Sequence, residues 1–284
     1  MKLRRKPNKI PFLILGLIHI FMLGYTFYKS NNRKRDIVLL FNFTGFAYCL
    51  DYLVVTLFKG YVYKPKFSNQ KEIDNIAGSI MSQFFYVPIT ALFITVFGFG
   101  WKAKLLFSSY FVLIERIFTK LAVYQNKWWK TTYTFSFIFL SFLLNDYWSR
   151  KLTKGNETIL NISFYNMIQM TWMNIIFVLA LLGEIRYGAK NLSWKQHFKV
   201  APFIGYFVSA LTFWTFKSNR MLSKAKLFFS FLIVDFILIK KGVLKVRSWF
   251  VLPLIYLVVI ISSSYYRNWV ISIPNDVKND YAID

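Results

Sequence analysis

Apolar runs of helical length alternate with short basic or turn-rich connections along the whole chain. A helix of about 20 apolar residues is long enough to cross a hydrocarbon core of about 30 Å. Such runs cover residues 10–28, 37–58 and 76–99, and further helices are expected over 103–124 and 131–144. After a polar, turn-rich stretch at 150–161 come runs at 162–182, 200–216, 226–240 and 249–266. Two of the nine are weak. Glu115 and Arg116 interrupt the fourth, and only residues 227–239 separate the flanking lysines of the eighth. At about 1.5 Å per residue that stretch is shorter than the core, unless the lysines snorkel to its edges. The pattern predicts an all-α polytopic transmembrane bundle of eight or nine spans. It divides into an N-terminal half over 1–150, with about five helices, and a C-terminal half over 151–284. The second half has about four helices and ends in a polar tail from Pro274. No internal repeat is legible by eye.

Local breakers refine the pattern. Gly60 and Pro65 argue against continuous helix between the second and third runs, and Pro88 predicts a kink in the third. Gly78, Ser79 and Ser82 allow close helix approach there. Thr44, Tyr48, Asp51 and Val55 fall on one helical face of the second run. Residues 191–199, with Trp194 and His197, read as a polar loop.

Composition makes lipid the natural surroundings. The 284 residues are 56% hydrophobic and only 17% charged, with 32 Phe, 18 Tyr and 9 Trp. Soluble domains run nearer 25% charged, and a single soluble core of this size has no room for so much apolar surface. The mean hydropathy is +0.41. The formal net charge of +24 is carried by connections between apolar runs, so anionic lipid headgroups are the expected partner and nucleic acid is not. Lys2, Arg4, Arg5, Lys6 and Lys9 precede the first run, which is too long for a signal-peptide core and lacks a small-residue cleavage pattern. It reads as an uncleaved anchor of a bacterial cytoplasmic-membrane protein. The Lys and Arg excess on the N-terminal side predicts a cytoplasmic N-terminus.

Side chains that could carry chemistry are few. Asp51, Glu115 and Asp235 are acids inside apolar helices, a costly placement that calls for partners. Arg116 adjoins Glu115, and Asn166 and Gln169 enrich the sixth run in amides. These six residues form the candidate intramembrane polar site, readable as an internal polar path or as groups that fix helix register. Met167, Met170 and Met173 lie among the amides without Cys or His, so packing explains them better than copper. Trp101, Trp128, Trp129 and Trp148 sit at run ends and read as interfacial anchors. His19 reads as an interhelical hydrogen-bonding group. The single Cys49 rules out an internal disulfide, and no metal site, cofactor or catalytic residue is expected. No nucleophile elbow, Walker loop, zinc-binding His pair or dinucleotide fingerprint occurs.

One ordered set of short motifs stands out: Tyr61-Val-Tyr63-Lys-Pro65, Asp74 to Gln83, Val87-Pro88, Glu115 with Phe118 and Tyr124, then Trp128-Trp129 to Tyr133. In this order they resemble an uncharacterised family of multipass membrane proteins of spore-forming Gram-positive bacteria. The resemblance covers residues 37–148 and implies a bacterial cytoplasmic membrane, with no activity to carry over. The sequence thus points to an integral membrane protein of non-enzymatic role that binds lipids or other membrane proteins. A transporter or channel-like protein built around the polar site is the alternative.

Overall fold

The computed structural model describes residues 8–218 and 220–280, with side chains through Pro274. Lys2, Arg4, Arg5 and Lys6, and the last four residues of the expected tail, lie outside the described residues. The chain divides into two compact units, Met1–Lys154 and Gly155–Asp284.

The first unit runs α1 (Ile10–Lys29), α2 (Arg33–Asp51), β1 (Tyr61–Tyr63), α3 (Lys71–Ile80), α4 (Val87–Val96), α5 (Trp101–Lys120), β2 (Tyr124–Asn126) and α6 (Thr131–Thr153). A π-helical segment, Tyr52–Leu57, prolongs α2, and a second, Met81–Tyr86, joins α3 to α4. Pro88 stands in the first turn of α4 and has no N–H to give, so the ladder is reset just before it. The Val87 N–H reaches back five residues to the Ser82 carbonyl, the widened spacing of a π-turn. The second unit runs α7 (Glu157–Leu181), β3 (Ile185–Tyr187), α8 (Trp194–Ser218), α9 (Met221–Lys240), β4 (Leu244–Val246) and α10 (Val251–Asp280).

Five helical stretches are long and apolar enough to cross a membrane: Ile10–Lys29, Arg33–Leu57, Lys71–Val96, Glu157–Leu181 and Val251–Pro274. They mark a membrane protein. α1 shows why: Leu13, Ile14, Leu17, Ile18 and Phe21 are all exposed, while Phe12, Leu15 and His19 face inward. An outward stripe of this kind has no soluble use.

Several boundaries differ from the sequence reading. The fourth helix stops at Lys120, and Tyr124 belongs to a strand. α6 continues to Thr153 rather than ending at 144. α9 runs over 20 residues, from Met221 to Lys240, longer than the 227–239 stretch, and it is not among the five stretches apolar enough to cross a membrane. Lys224 and Lys226 lie inside its first turns. Trp194 and His197 open α8 instead of lying in a loop, and α10 runs past Pro274 to Asp280.

The four short strands were not foreseen, and they expose a repeat. β1 pairs antiparallel with β2, and β3 with β4. Each unit therefore contains helix, strand, two helical rods, strand, helix. The hydrogen bonds repeat as well. The residue after the first strand donates to the residue before the second: Lys64 to the Val123 carbonyl, and Gly188 to the Val243 carbonyl. The residue after the second strand donates to the residue before the first: Lys127 to Gly60, and Arg247 to Glu184. Tyr63 N–H is capped by Asn75 Oδ1 at 2.7 Å, and Tyr187 N–H by His197 Nδ1 at 3.1 Å. Helices α5, α7 and α9 all end the same way, with a left-handed residue at Ala122 (φ 59°), Gly183 (φ 76°) and Gly242 (φ 69°). The next N–H then closes on a carbonyl five residues back, the usual helix-stopping motif. Glycine takes this conformation freely; Ala122 takes it against its own Cβ.

Candidate functional site

In the first unit the strands, the second π-segment and helices α1, α2, α4, α5 and α6 line a cavity of about 520 Å³. Most of its wall is hydrocarbon: Phe12 and Leu15 from α1, Phe43, Phe46 and Leu50 from α2, Phe111, Ile114 and Phe118 from α5, and Ile138 from α6. Phe137, Leu140 and Leu144 also line it and are exposed on the outside of α6, so the opening has an apolar rim. At the strand end the lining turns polar, with Tyr61, Tyr63, Tyr124, Ser82, Gln83, Thr134 and Glu115.

Two acids organise that polar end. Asp51 is buried at the end of α2. It accepts from Tyr61 Oη at 2.5 Å and Gln83 Nε2 at 3.3 Å, and from the Ser79 hydroxyl. It thereby ties α2, β1, α3 and the second π-segment together. Glu115 does the same one connection later. It accepts from Asn126 Nδ2 at 2.8 Å, from Thr131 Oγ1 at 2.6 Å, and from the Thr134 hydroxyl. Thr134 in turn accepts from Trp129 Nε1 at 2.8 Å. Each carboxyl group thus accepts from three side chains of neighbouring elements, whose dipoles take the place of water around it.

Between the acids lies a floor of rings. Tyr61 and Tyr63 each approach Tyr124, with centroids 5.3 and 5.2 Å apart, and Tyr61 meets Trp129 at 5.5 Å. Burial pushes the hydroxyls of Tyr61 and Tyr63 up from their ordinary value, and the nearby Asp51 charge adds to it. Both stay protonated, and Tyr61 donates to Asp51.

The six candidate polar residues do not form one site. Asp51 and Glu115 share the first unit. Arg116 points outward and takes no part. Asn166, Gln169 and Asp235 are buried in the second unit. Asp235 accepts from Tyr256 Oη at 2.7 Å and so ties α9 to α10. It lies nine residues before β4, as Glu115 lies nine before β2. Lys104, buried on the same face of α5 as Glu115, pairs with Asp146 at 2.6 Å and donates to the Phe99 carbonyl. His19 Nε2 lies 3.2 Å from Thr90 Oγ1, the interhelical role expected of it. Trp129 and Trp148 are buried inside the first unit, which leaves Trp101 and Trp128 as exposed tryptophans among the expected anchors. Cys49, on α2, is exposed.

The residues missed are the donors: Tyr61, Ser79, Asn126, Thr131 and Thr134. Tyr61 stands in a strand of three residues, too short for a legible pattern, and the other four lie on elements that no helical spacing connects to the acids. The chain matches no family model, no curated protein and no solved structure.

Proposed function

We propose that this is a multipass protein of the bacterial cytoplasmic membrane that binds a lipid-like molecule in the cavity of its first unit. The observation that carries the reading is the make-up of that cavity: hydrocarbon walls, an apolar rim on α6, and Glu115 at the far polar end. Pockets of a few hundred Å3 with apolar walls and few convergent polar groups are the usual form of small-molecule sites. The ligand has an apolar body and a head that donates hydrogen bonds toward Glu115. The residues behind the resemblance to a family of multipass membrane proteins gather here too: Tyr61, Tyr63, Gln83, Pro88, Glu115, Phe118, Tyr124 and Trp129 all line the cavity.

Transport is the weaker reading. The three acids fall into two units, and Asp51, Glu115 and Asp235 accept from hydroxyls and amides of neighbouring elements. Such acids fix connections. All nine helical rods are taken to span, with α5, α6, α8 and α9 carried by packing against the five more apolar ones. The N-terminus is cytoplasmic, and a reporter fused after Asp284 then appears outside; a cytoplasmic signal contradicts that topology.

The binding test is native mass spectrometry of the full chain extracted in mild detergent. Wild type retains a lipid-mass adduct. Ser141→Trp fills the cavity and loses it, whereas Phe229→Trp, at an exposed site of the second unit, keeps it. Equal retention by both variants contradicts the reading.

A further inference from the structure

The second unit carries a different cavity, of about 330 Å³, on its strand pair. Gly183, Arg186, Leu192, Ser193, Trp194, Lys245 and Arg247 line it. Three of these are cations and none is an acid. Arg186 and Lys245 are direct cross-strand partners in the β3–β4 ladder. Like charges set opposite each other on a two-stranded sheet repel, and Arg247 adds a third just beyond the strand. At the equivalent ladder position of the first unit stand Val62 and Gln125, both uncharged.

Arg186 is held in place. Its guanidinium stacks on the Trp194 ring with Cζ 3.3 Å from the centroid, and Nη2 donates to the Ala180 carbonyl at 3.3 Å. Nη1 is shielded from water and has no partner among the described residues. The nearest acid in sequence, Glu184, does not line the cavity, and among the described residues it makes no ion pair with these cations. Ser193 and Trp194 form the start of α8, where the first backbone N–H groups have no helical acceptor and the helix dipole favours negative charge. A fixed guanidinium, two exposed cations and a helix start thus line one space.

We propose that this cavity binds a phosphate group, either as the headgroup of an anionic lipid or as a free phosphate. Arg186 supplies a fixed guanidinium with an unpartnered Nη1 donor, and Lys245 on the second strand and Arg247 just beyond it close over the anion. The anion removes the cross-strand repulsion that the bare ladder carries. This site is independent of the cavity in the first unit.

The experiment uses the full chain and the double variant Lys245→Gln/Arg247→Gln, which leaves the Arg186–Trp194 stack intact. In one arm, the protein in non-ionic detergent is equilibrated with radiolabelled inorganic phosphate. In the other, it is reconstituted in phosphatidylcholine nanodiscs with or without phosphatidylglycerol, and retained lipid is read by native mass spectrometry. Wild type is expected to bind at least tenfold more tightly than the variant in one arm or both. A difference in both arms or in the detergent arm assigns the site to free phosphate as well, and a difference in the lipid arm alone assigns it to the headgroup. Thermal midpoints give a second reading: without phosphate or anionic lipid the variant is more stable than wild type, and with the anion the order reverses. Equal binding in both arms, together with an unchanged order of midpoints, overturns the proposal.

Discussion

The two units share one wiring and differ in what they place on it. In both, a helix ends on a left-handed residue, a three-residue strand follows, and cross-connections tie that strand to its partner. The first unit then fills the ladder and its surroundings with tyrosines and backs them with Asp51 and Glu115. The second keeps one acid, Asp235, at the position of Glu115, caps the other tyrosine N–H with His197, and charges its ladder with Arg186 and Lys245. The same backbone thus carries an apolar cavity with an acid at its end in one case and a basic cavity in the other. The sites belong to side chains added to a common scaffold, and the scaffold alone names no function.

The comparison breaks most readily at Glu115. Glu115→Ala leaves Asn126, Thr131 and Thr134 without their acceptor, a loss on the order of 3 kcal/mol. Hydrogen exchange is expected to rise over 124–134 while 244–256 stays protected. Equal exchange in both stretches would show that the two units do not respond separately. Gly78 comes next. A Cβ there meets the Cβ of Tyr63, so Gly78→Ala pushes β1 off α3 at a cost of about 2 kcal/mol. A lowered midpoint with loss of the lipid-mass adduct is the expected result.

Asp235→Asn is milder, because the amide oxygen still accepts from Tyr256. About 1 kcal/mol is expected from the lost charge on that bond, read as a small fall in midpoint that leaves the adduct of the first unit untouched. The smallest effect sharpens the comparison by making the units more alike. Ala122→Gly gives the first unit the glycine that the equivalent helix ends have at Gly183 and Gly242. Relief at φ 59° outweighs glycine's extra chain entropy by about 0.5 kcal/mol. A raised midpoint is expected, and a lowered one would show that the helix end at 122 is not strained.

Much of the helical order was legible in advance because a bilayer-length apolar run has a strong pattern. The eighth helix was shortened because Lys226 was taken as its edge rather than as part of its first turns. The strands escaped because three residues are too few for a pattern, and the repeat escaped with them: the units match in backbone connections while residues such as Val62 and Arg186, or Gln125 and Lys245, differ. Glu115 could be singled out from its cost alone. Its partners lie up to 19 residues away across a strand, so no helical spacing could have found them. Arg116 was grouped with Glu115 by adjacency, yet neighbouring helix positions point about 100° apart.

The central claim is that the first unit admits a lipid-like molecule between α2, α5 and α6. Photo-crosslinking of the full chain in membranes containing a diazirine-labelled acyl lipid, with adducts mapped by peptide mass spectrometry, tests it most directly. The account predicts adducts on the cavity residues Ile114, Phe118 and Trp129, reduced by Ser141→Trp. Adducts confined to outward positions such as Leu17 and Leu106, with none on those three, would contradict it.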